Sequence, residues 1–443
     1  MCQLLALTAC AAAVAGCSPA RQATRPAPVA AAVKPLAPVS LTKQEARAQT
    51  LRCLHALADT GATPTAVAEA RTLVARLGTA PLGQTLGAVL ACRVGKNTIL
   101  PTTLADRAAA ACAMQAERGP DEITLSFAGD CTFGTVNGDG SAPRFPAVYR
   151  RAHQLNYPFA LMQPWLRTDD LSVVNFECTL TDATQTADKQ WHFKGPARYA
   201  VLFPAGGVDA VGLSNNHSHD YLQAGFDDTI ANFRRAHVPA FYQNTPFVTA
   251  IKGVPVVLIG DCTVVGENTI QIGEAPQRVL SQIKEYKKPG TLVIVVMHWG
   301  SELDTTPKLW QQALGRQFID AGADAVVGHH PHIVQGIELY KGRTIAYSLG
   351  NFAFGGNSSA RRPETFLWRL RFGTGGGTVK FQSASLVPCL ITSTHATNGA
   401  GVLVNNYQPT PVFGAEAARV AALVTARSTG LKYGVKRVDY LRL

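Results

Sequence analysis

The strongest constraint on this chain is a series of short apolar runs, most of which close on a residue that can bind a cation or move a proton. "ITLSFAGD", "LSVVNFE", "VDAVGLSNNH", "VPVVLIGD", "TLVIVVMHWG", "ADAVVGHH" and "TIAYSLGNF" follow one another between Ile123 and Phe352. Each is rich in Val, Ile, Leu and Ala, the mark of strands buried on both faces. Between them, "LQAGFDDTIANFRRA" and "PKLWQQALGRQFIDAG" repeat their apolar residues at helical spacing. In the second, Leu309, Ala313, Leu314 and Phe318 are expected to share a face, with Pro307 in the first turn and Gly322 as the stop. Alternating strands and helices predict an α/β domain over residues 119–356. Beyond it, "FLWRLRFG" and "TVKFQSASLVPCLI" read as a hairpin around "GTGGG", making 357–443 a β-rich extension of the same domain.

Upstream the texture differs. Residues 41–118 are dominated by Ala, Leu, Arg and Gln, and "PTAVAEARTLVARLG" carries helical spacing, so this stretch is expected to be a helical region. Residues 18–40, rich in Pro and Ala, read as an extended tether. Residues 1–17 are apolar and end in Val14-Ala15-Gly16-Cys17, which resembles a bacterial lipobox, although no Lys or Arg precedes Arg21. The expectation is an exported lipoprotein of the bacterial cell envelope, lipid-modified at Cys17 and held on a membrane by its acyl chains. Seven cysteines lie beyond Cys17, and an oxidising compartment leads one to expect some pairing, with Cys53, Cys92 and Cys112 as possible cross-links. None has C-x-x-C spacing, which argues against a structural zinc site.

The net charge of +11 favours anionic partners. With no dense Lys/Arg block and no basic stripe interleaved with aromatics, nucleic acid is not among those expected.

The polar residues gather where strands end: Asp130, Glu177, the Asn215-Asn216-His217 run, His298 and the cluster His329, His330 and His332. In open α/β sheets, sites form outside the strand ends. Mixed nitrogen and oxygen donors without a thiolate cluster suit a divalent Mn, Zn or Fe ion, one or two per chain. In "GHHPH" an extended backbone would put His330 and His332 on one side and His329 on the other. A twisted loop would make His329 the ligand instead.

In this order, "FAGD", "NFECTLT", "LSNNHSHDYLQAGFDDTI", "VMHWGSE" and "GADAVVGHHPHIVQGIELYKGRTIAYSLGNF" resemble the bacterial capsule-synthesis CapA family, linked to poly-γ-glutamate production. That family is similar in fold to calcineurin-like metallophosphatases, which implies two facing β-sheets flanked by helices. The resemblance implies Asp130, Glu177, Asn216, His298, His330 and His332 as metal ligands, with His329 as an alternative for the first histidine of the pair. It implies His217 as the residue that stabilises charge or protonates a leaving group. One departure stands out: metallophosphatases carry a histidine ligand two positions after the first aspartate, and here that position is Thr132. Glu302 is a candidate to complete the site.

The reading is of a metal-dependent hydrolase of capsule or exopolymer metabolism, acting on an anionic phosphoester or an envelope exopolymer, and associated with a capsule-synthesis complex. The alternative is a non-catalytic assembly factor of a polymer synthesis or export complex, with a structural metal site.

Overall fold

Alternation along the central strands sets the architecture. The computed structural model describes Gln49, Cys53 and residues 64–77, 121–136, 144–264 and 275–440. Along the strand Leu292–Gly300, Ile294 and Val296 belong to one apolar cluster, while Val293, Val295 and Met297 belong to another. A strand with two apolar faces needs cover on both. Here a second sheet supplies one cover and helices supply the other.

The first sheet runs in the order Thr410–Pro411, Lys380–Leu390, Glu364–Gly373, Glu122–Thr132, Leu171–Phe176, Ala210–Gly212 and Ala240–Phe241, and Asn351–Phe354 also pairs with Glu122–Thr132. The second runs Ile337–Tyr340, Arg343–Ala346, Ala325–His329, Leu292–Gly300, Val254–Val264 and Phe247–Ile251. Leu125, Phe127, Val173 and Trp368 of the first meet Leu258, Ile294, Val296 and Val327 of the second in one inter-sheet core. Phe159, Trp165, Phe203 and Phe233 pack in the core on the outer side of the first sheet, and Val279, Ile283, Leu314 and Phe318 in that of the second. Full burial of each such side chain contributes about 1.5–3 kcal/mol. The result is the expected fold of two facing sheets flanked by helices.

Several details depart from the sequence reading. The helix Leu309–Ala321 buries Gln311, Leu314, Gly315, Phe318 and Ile319, whereas Leu309 is 83% exposed and Ala313 is also exposed. At 100° per residue, Leu309 and Ala313 lie well round the helix from Leu314 and Phe318. Pro307 stands just before the Lys308 cap, whose N–H donates to Gln311 Oε1 at 2.8 Å, and Gly322 ends the helix at φ 117°. "TIAYSLGNF" forms two strands rather than one: Arg343–Ala346 joins the second sheet and Asn351–Phe354 the first. The hairpin Glu364–Gly373/Lys380–Leu390 forms as expected, but 357–443 also contains the helix Gly414–Thr429, which sends Ala421 and Val424 into the inter-sheet core.

Of residues 41–118, the helix Pro64–Leu77 is described, with Ala70 and Leu73 buried. Cys92 and Cys112 lie outside the described residues, as do 1–40 with Cys17. Cys131 and Cys178 carry buried thiols that donate to the carbonyls of Gly129 and Thr179. Among the described residues, no helix is long and apolar enough to cross a membrane.

Glu122–Thr132, Leu171–Phe176, Ala210–Gly212 and Ala240–Phe241 pair in parallel, as do Val254–Val264, Leu292–Gly300, Ala325–His329 and Arg343–Ala346. Parallel pairing sends each set of C-terminal strand ends to one edge, and the polar residues of both sheets meet there.

Candidate metal centre

The strand Glu122–Thr132 slips register on both sides of Asp130, against Leu171–Phe176 after Ala128 and against Asn351–Phe354 before Thr132. Such bulges re-aim a side chain at a strand end. The Asp130 N–H donates to Gly350 O at 3.0 Å, an approach that only glycine at position 129 permits: a Cβ there would stand 2.0 Å from Gly350 O. Glu177 follows its strand directly and is tied back by its N–H to Cys131 O at 2.8 Å. His298 and His329 are register partners in the second sheet.

Two groups of side chains converge, each with ligand atoms within 4.8 Å of one another: Glu177, His298 and His330, and Asp130, Glu177 and His332. Glu177 belongs to both. In the first group, His298 Nε2 lies 3.0 Å from His330 Nδ1, 3.4 Å from Glu177 Oε1 and 2.8 Å from Asn216 Oδ1. In the second, His332 Nδ1 is 3.6 Å from Asp130 Oδ2 and its Nε2 is 3.9 Å from Glu177 Oε1. Both Glu177 oxygens are buried without a hydrogen-bond partner. A buried carboxylate left in that state is costly unless a cation or a proton compensates it.

The electrostatics follow from that burial. Desolvation pushes the Glu177 carboxyl up to about 8, against the pull of His332 and His217. Burial would also raise Asp130, but the imidazoles of His329 and His332, with Nδ1 atoms 3.2 and 3.6 Å from its oxygens, outweigh it and hold the carboxyl well below its ordinary range. Burial keeps His298 and His330 neutral, with the neighbouring His298 and His332 adding to the downward pull on His330, and neutral imidazole is the form that ligates metals. For His332, burial pulls downward, but Glu177 and Asp130 carry it up to about 10. Carboxylates and imidazoles arranged so, without a cation, share protons in its place.

The chain leaves its strand at His329. His330 (φ 98°) and His332 (φ 59°) both adopt left-handed backbone, which costs on the order of 1–3 kcal/mol per residue. A kinked loop therefore, and not the alternation of an extended strand, brings both imidazoles into the two groups. His329 lies outside them, with its Nδ1 3.2 Å from Asp130 Oδ1. His217 sits beside the groups, its Nδ1 2.8 Å from Asp220 Oδ2 and its Nε2 4.0 Å from Glu177 Oε1. Asn216 contributes through His298, as above. Glu302 is exposed on the turn beyond Gly300 and joins neither group, although its charge acts on Glu177 and His332. Thr132 is fully buried.

Three residues that the sequence reading passed over support these side chains. Asn175 Nδ2 donates to Asp130 Oδ1 at 2.8 Å and lies 3.2 Å from His298 Nδ1. Asn351 Oδ1 lies 2.9 Å from His332 Nδ1, and Asp220 holds His217. Partners of this kind fix the tautomer and orientation of a ligating histidine. Each stands inside a stretch already singled out ("NFE", "GNF", "SHD"), which was the available signal.

The profile of the family described as "Bacterial capsule synthesis protein PGA_cap" matches residues 124–356, which span every residue of both groups. The "Capsule biosynthesis protein CapA" of Bacillus anthracis is 32% identical over 265 residues, covering 54% of this chain and 61% of the relative. The "PGA biosynthesis protein CapA" of Bacillus subtilis (strain 168) is 30% identical over 251 residues, covering 53% of this chain and 64% of the relative. The chain thus spans less than two thirds of the length of either curated relative. A solved structure described as a novel phosphatase from Mycoplasma pneumoniae is 12% identical, aligns with a TM-score of 0.36, and covers 60% of this chain and 93% of its own. With the family profile extending over more than half of its residues, the chain belongs to the bacterial capsule synthesis protein family PGA_cap.

Proposed function

We propose that this protein is a metal-dependent hydrolase of the phosphoesterase type, anchored in the bacterial envelope and serving capsule or poly-γ-glutamate exopolymer production. The observation that carries the reading is Glu177, whose two buried oxygens have no hydrogen-bond partner and face a ring of histidines. The donor set fits a divalent cation. Glu177, Asn216, His298 and His330 would hold one ion, and Asp130, Glu177 and His332 a second. Mixed nitrogen and oxygen donors suit Mn, Zn or Fe. A cation held there supplies Lewis acidity toward a substrate oxygen and acidifies water.

The chain's own residues do the rest. Asp220 fixes His217 through Nδ1, which leaves Nε2 facing the centre to protonate a leaving group or stabilise a developing negative charge. Asn175 and Asn351 keep Asp130, His298 and His332 in place. The net charge of +11 favours an anionic substrate, a phosphoester or an acidic envelope polymer. Anchoring would come from a lipid on Cys17, and the membrane and a capsule-synthesis complex would be the partners. Labelled fatty acid should enter the wild type and not Cys17→Ala; equal labelling rejects the anchor.

The test of activity is elemental analysis of the purified chain, followed by a screen of phosphoesters and γ-glutamyl polymers. His217→Ala should retain metal and lose roughly 10²–10⁴-fold in hydrolysis. Turnover unchanged by that substitution would reject the assignment.

A second reading, a non-catalytic assembly factor with a structural metal, is favoured by one observation: buried Thr132 stands where metallophosphatases carry a histidine ligand. On that reading, His217→Ala leaves exopolymer output intact while His298→Ala abolishes it.

A further inference from the structure

Lys189 lies in "ADKQWHF", between the strands Thr179–Leu180 and Phe193–Gly195, and no motif draws attention to it. Its ammonium reaches three atoms of the turn that carries Asn216 and His217. Asp220 Oδ1 is at 2.5 Å, the Asn216 main-chain oxygen at 2.8 Å and His217 Nδ1 at 3.3 Å. Asp220 is fully buried and also accepts from the Phe193 N–H at 2.5 Å, so it ties this segment to the turn a second time.

Two groups compete for His217 Nδ1. The Asp220 carboxylate at 2.8 Å calls for a proton on Nδ1, and a protonated Nδ1 cannot accept from the ammonium. Lys189 therefore directs its protons to Asp220 and to the Asn216 carbonyl. Asn216 is then held at both ends, its peptide oxygen by Lys189 and its side-chain oxygen 2.8 Å from His298 Nε2. An exposed lysine–aspartate pair contributes little, but removing the partner of a buried carboxylate leaves an uncompensated charge. Here that charge lies under the turn that aims Asn216.

We propose that Lys189 is a positioning residue of the centre: it clamps the Asn216–His217 turn so that the Asn216 amide oxygen and His298 address the same cation. The proposal rests on the metal reading above. It makes the segment before Phe193 part of the centre's framework although none of its side chains belongs to either ligand group.

The test is titration of the cation-free full-length chain with Mn²⁺ by calorimetry. Lys189→Met keeps the aliphatic stem, removes the ammonium, and should weaken Mn²⁺ binding on the order of 10- to 100-fold. Lys189→Arg should recover most of the loss. Lys194→Met, which removes an ammonium bonded to Ala183 O and placed over the Tyr221 ring, should bind as the wild type does. Because Lys189 acts through Asn216, Lys189→Met should add little to the loss already caused by Asn216→Ala. If Lys189→Met loses its native near-ultraviolet circular dichroism, Lys189→Gln replaces it in the same cycle. Wild-type affinity in the folded Lys189 variant, or an equal further loss in both backgrounds, overturns the proposal. A wild type that binds no Mn²⁺ overturns the metal reading and this proposal with it, whereas Mn²⁺ binding indifferent to Lys189 overturns this proposal alone.

Discussion

The two halves of the centre share Glu177 and differ in everything else. On one side, Asn216, His298 and His330 stand within 3.0 Å of a neighbouring donor atom, and His298 and His330 are kept neutral by burial. On the other, Asp130 and His332 are 3.6 Å apart and hold opposite charges, each already engaged by an asparagine, Asn175 on Asp130 and Asn351 on His332. The first half is a nearly complete set of neutral donors around one carboxylate. The second is an ion pair waiting for a competitor. On this account, the first half binds a cation tightly and the second binds one weakly, since a metal there must first displace the proton of His332.

The largest expected effect breaks the strong half. His298→Ala should remove the retained ion, read as metal per chain after exhaustive dialysis, while leaving the fold intact by circular dichroism. Asp130→Asn comes next: it should abolish only the weak, second binding event in a calorimetric titration. An equal loss of both events in either variant would dissolve the contrast between the halves.

A pH series sharpens it further. Glu177, ordinarily near 4.5, is raised to about 8 by burial, and His332, ordinarily near 6.5, to about 10 by Glu177 and Asp130 acting against burial. Both groups bind protons more tightly in the cation-free folded chain than in the unfolded one. Their contribution to stability is therefore complete below about 4.5 and is lost as pH rises through about 8 and then about 10. Cation binding displaces these protons, so the rise in Tm caused by Mn²⁺ should be larger at pH 8.5 than at pH 6. A Tm gain that falls with pH would contradict this charge assignment. Smaller still, Asn351→Ala should weaken only the second event, by about 10-fold, through loss of the His332 partner.

What the sequence made legible, and what it did not, divides along physical lines. Apolar runs buried on both faces name their own strands, and the residue that ends each run names the edge, so Asp130, Glu177, Asn216, His298 and the histidine cluster could be read in order. The split of "TIAYSLGNF" between two sheets could not, since one apolar run satisfies either sheet equally well. The choice between His329 and His330 rested on an extended backbone, whereas the structure uses two left-handed residues, a conformation that composition does not announce. Asn175, Asn351 and Asp220 escaped notice because an amide or carboxylate that orients another side chain has no spacing of its own. Lys189 escaped for the same reason: its partners lie 27 to 31 residues away in the chain.

The most direct measurement is the Mn²⁺ binding isotherm of the full chain, stripped of metal and titrated at pH 7.5. The account predicts two events of unequal affinity, the tighter lost in His298→Ala and the weaker lost in Asp130→Asn. A flat isotherm, or two equal sites that respond alike to both substitutions, would contradict it.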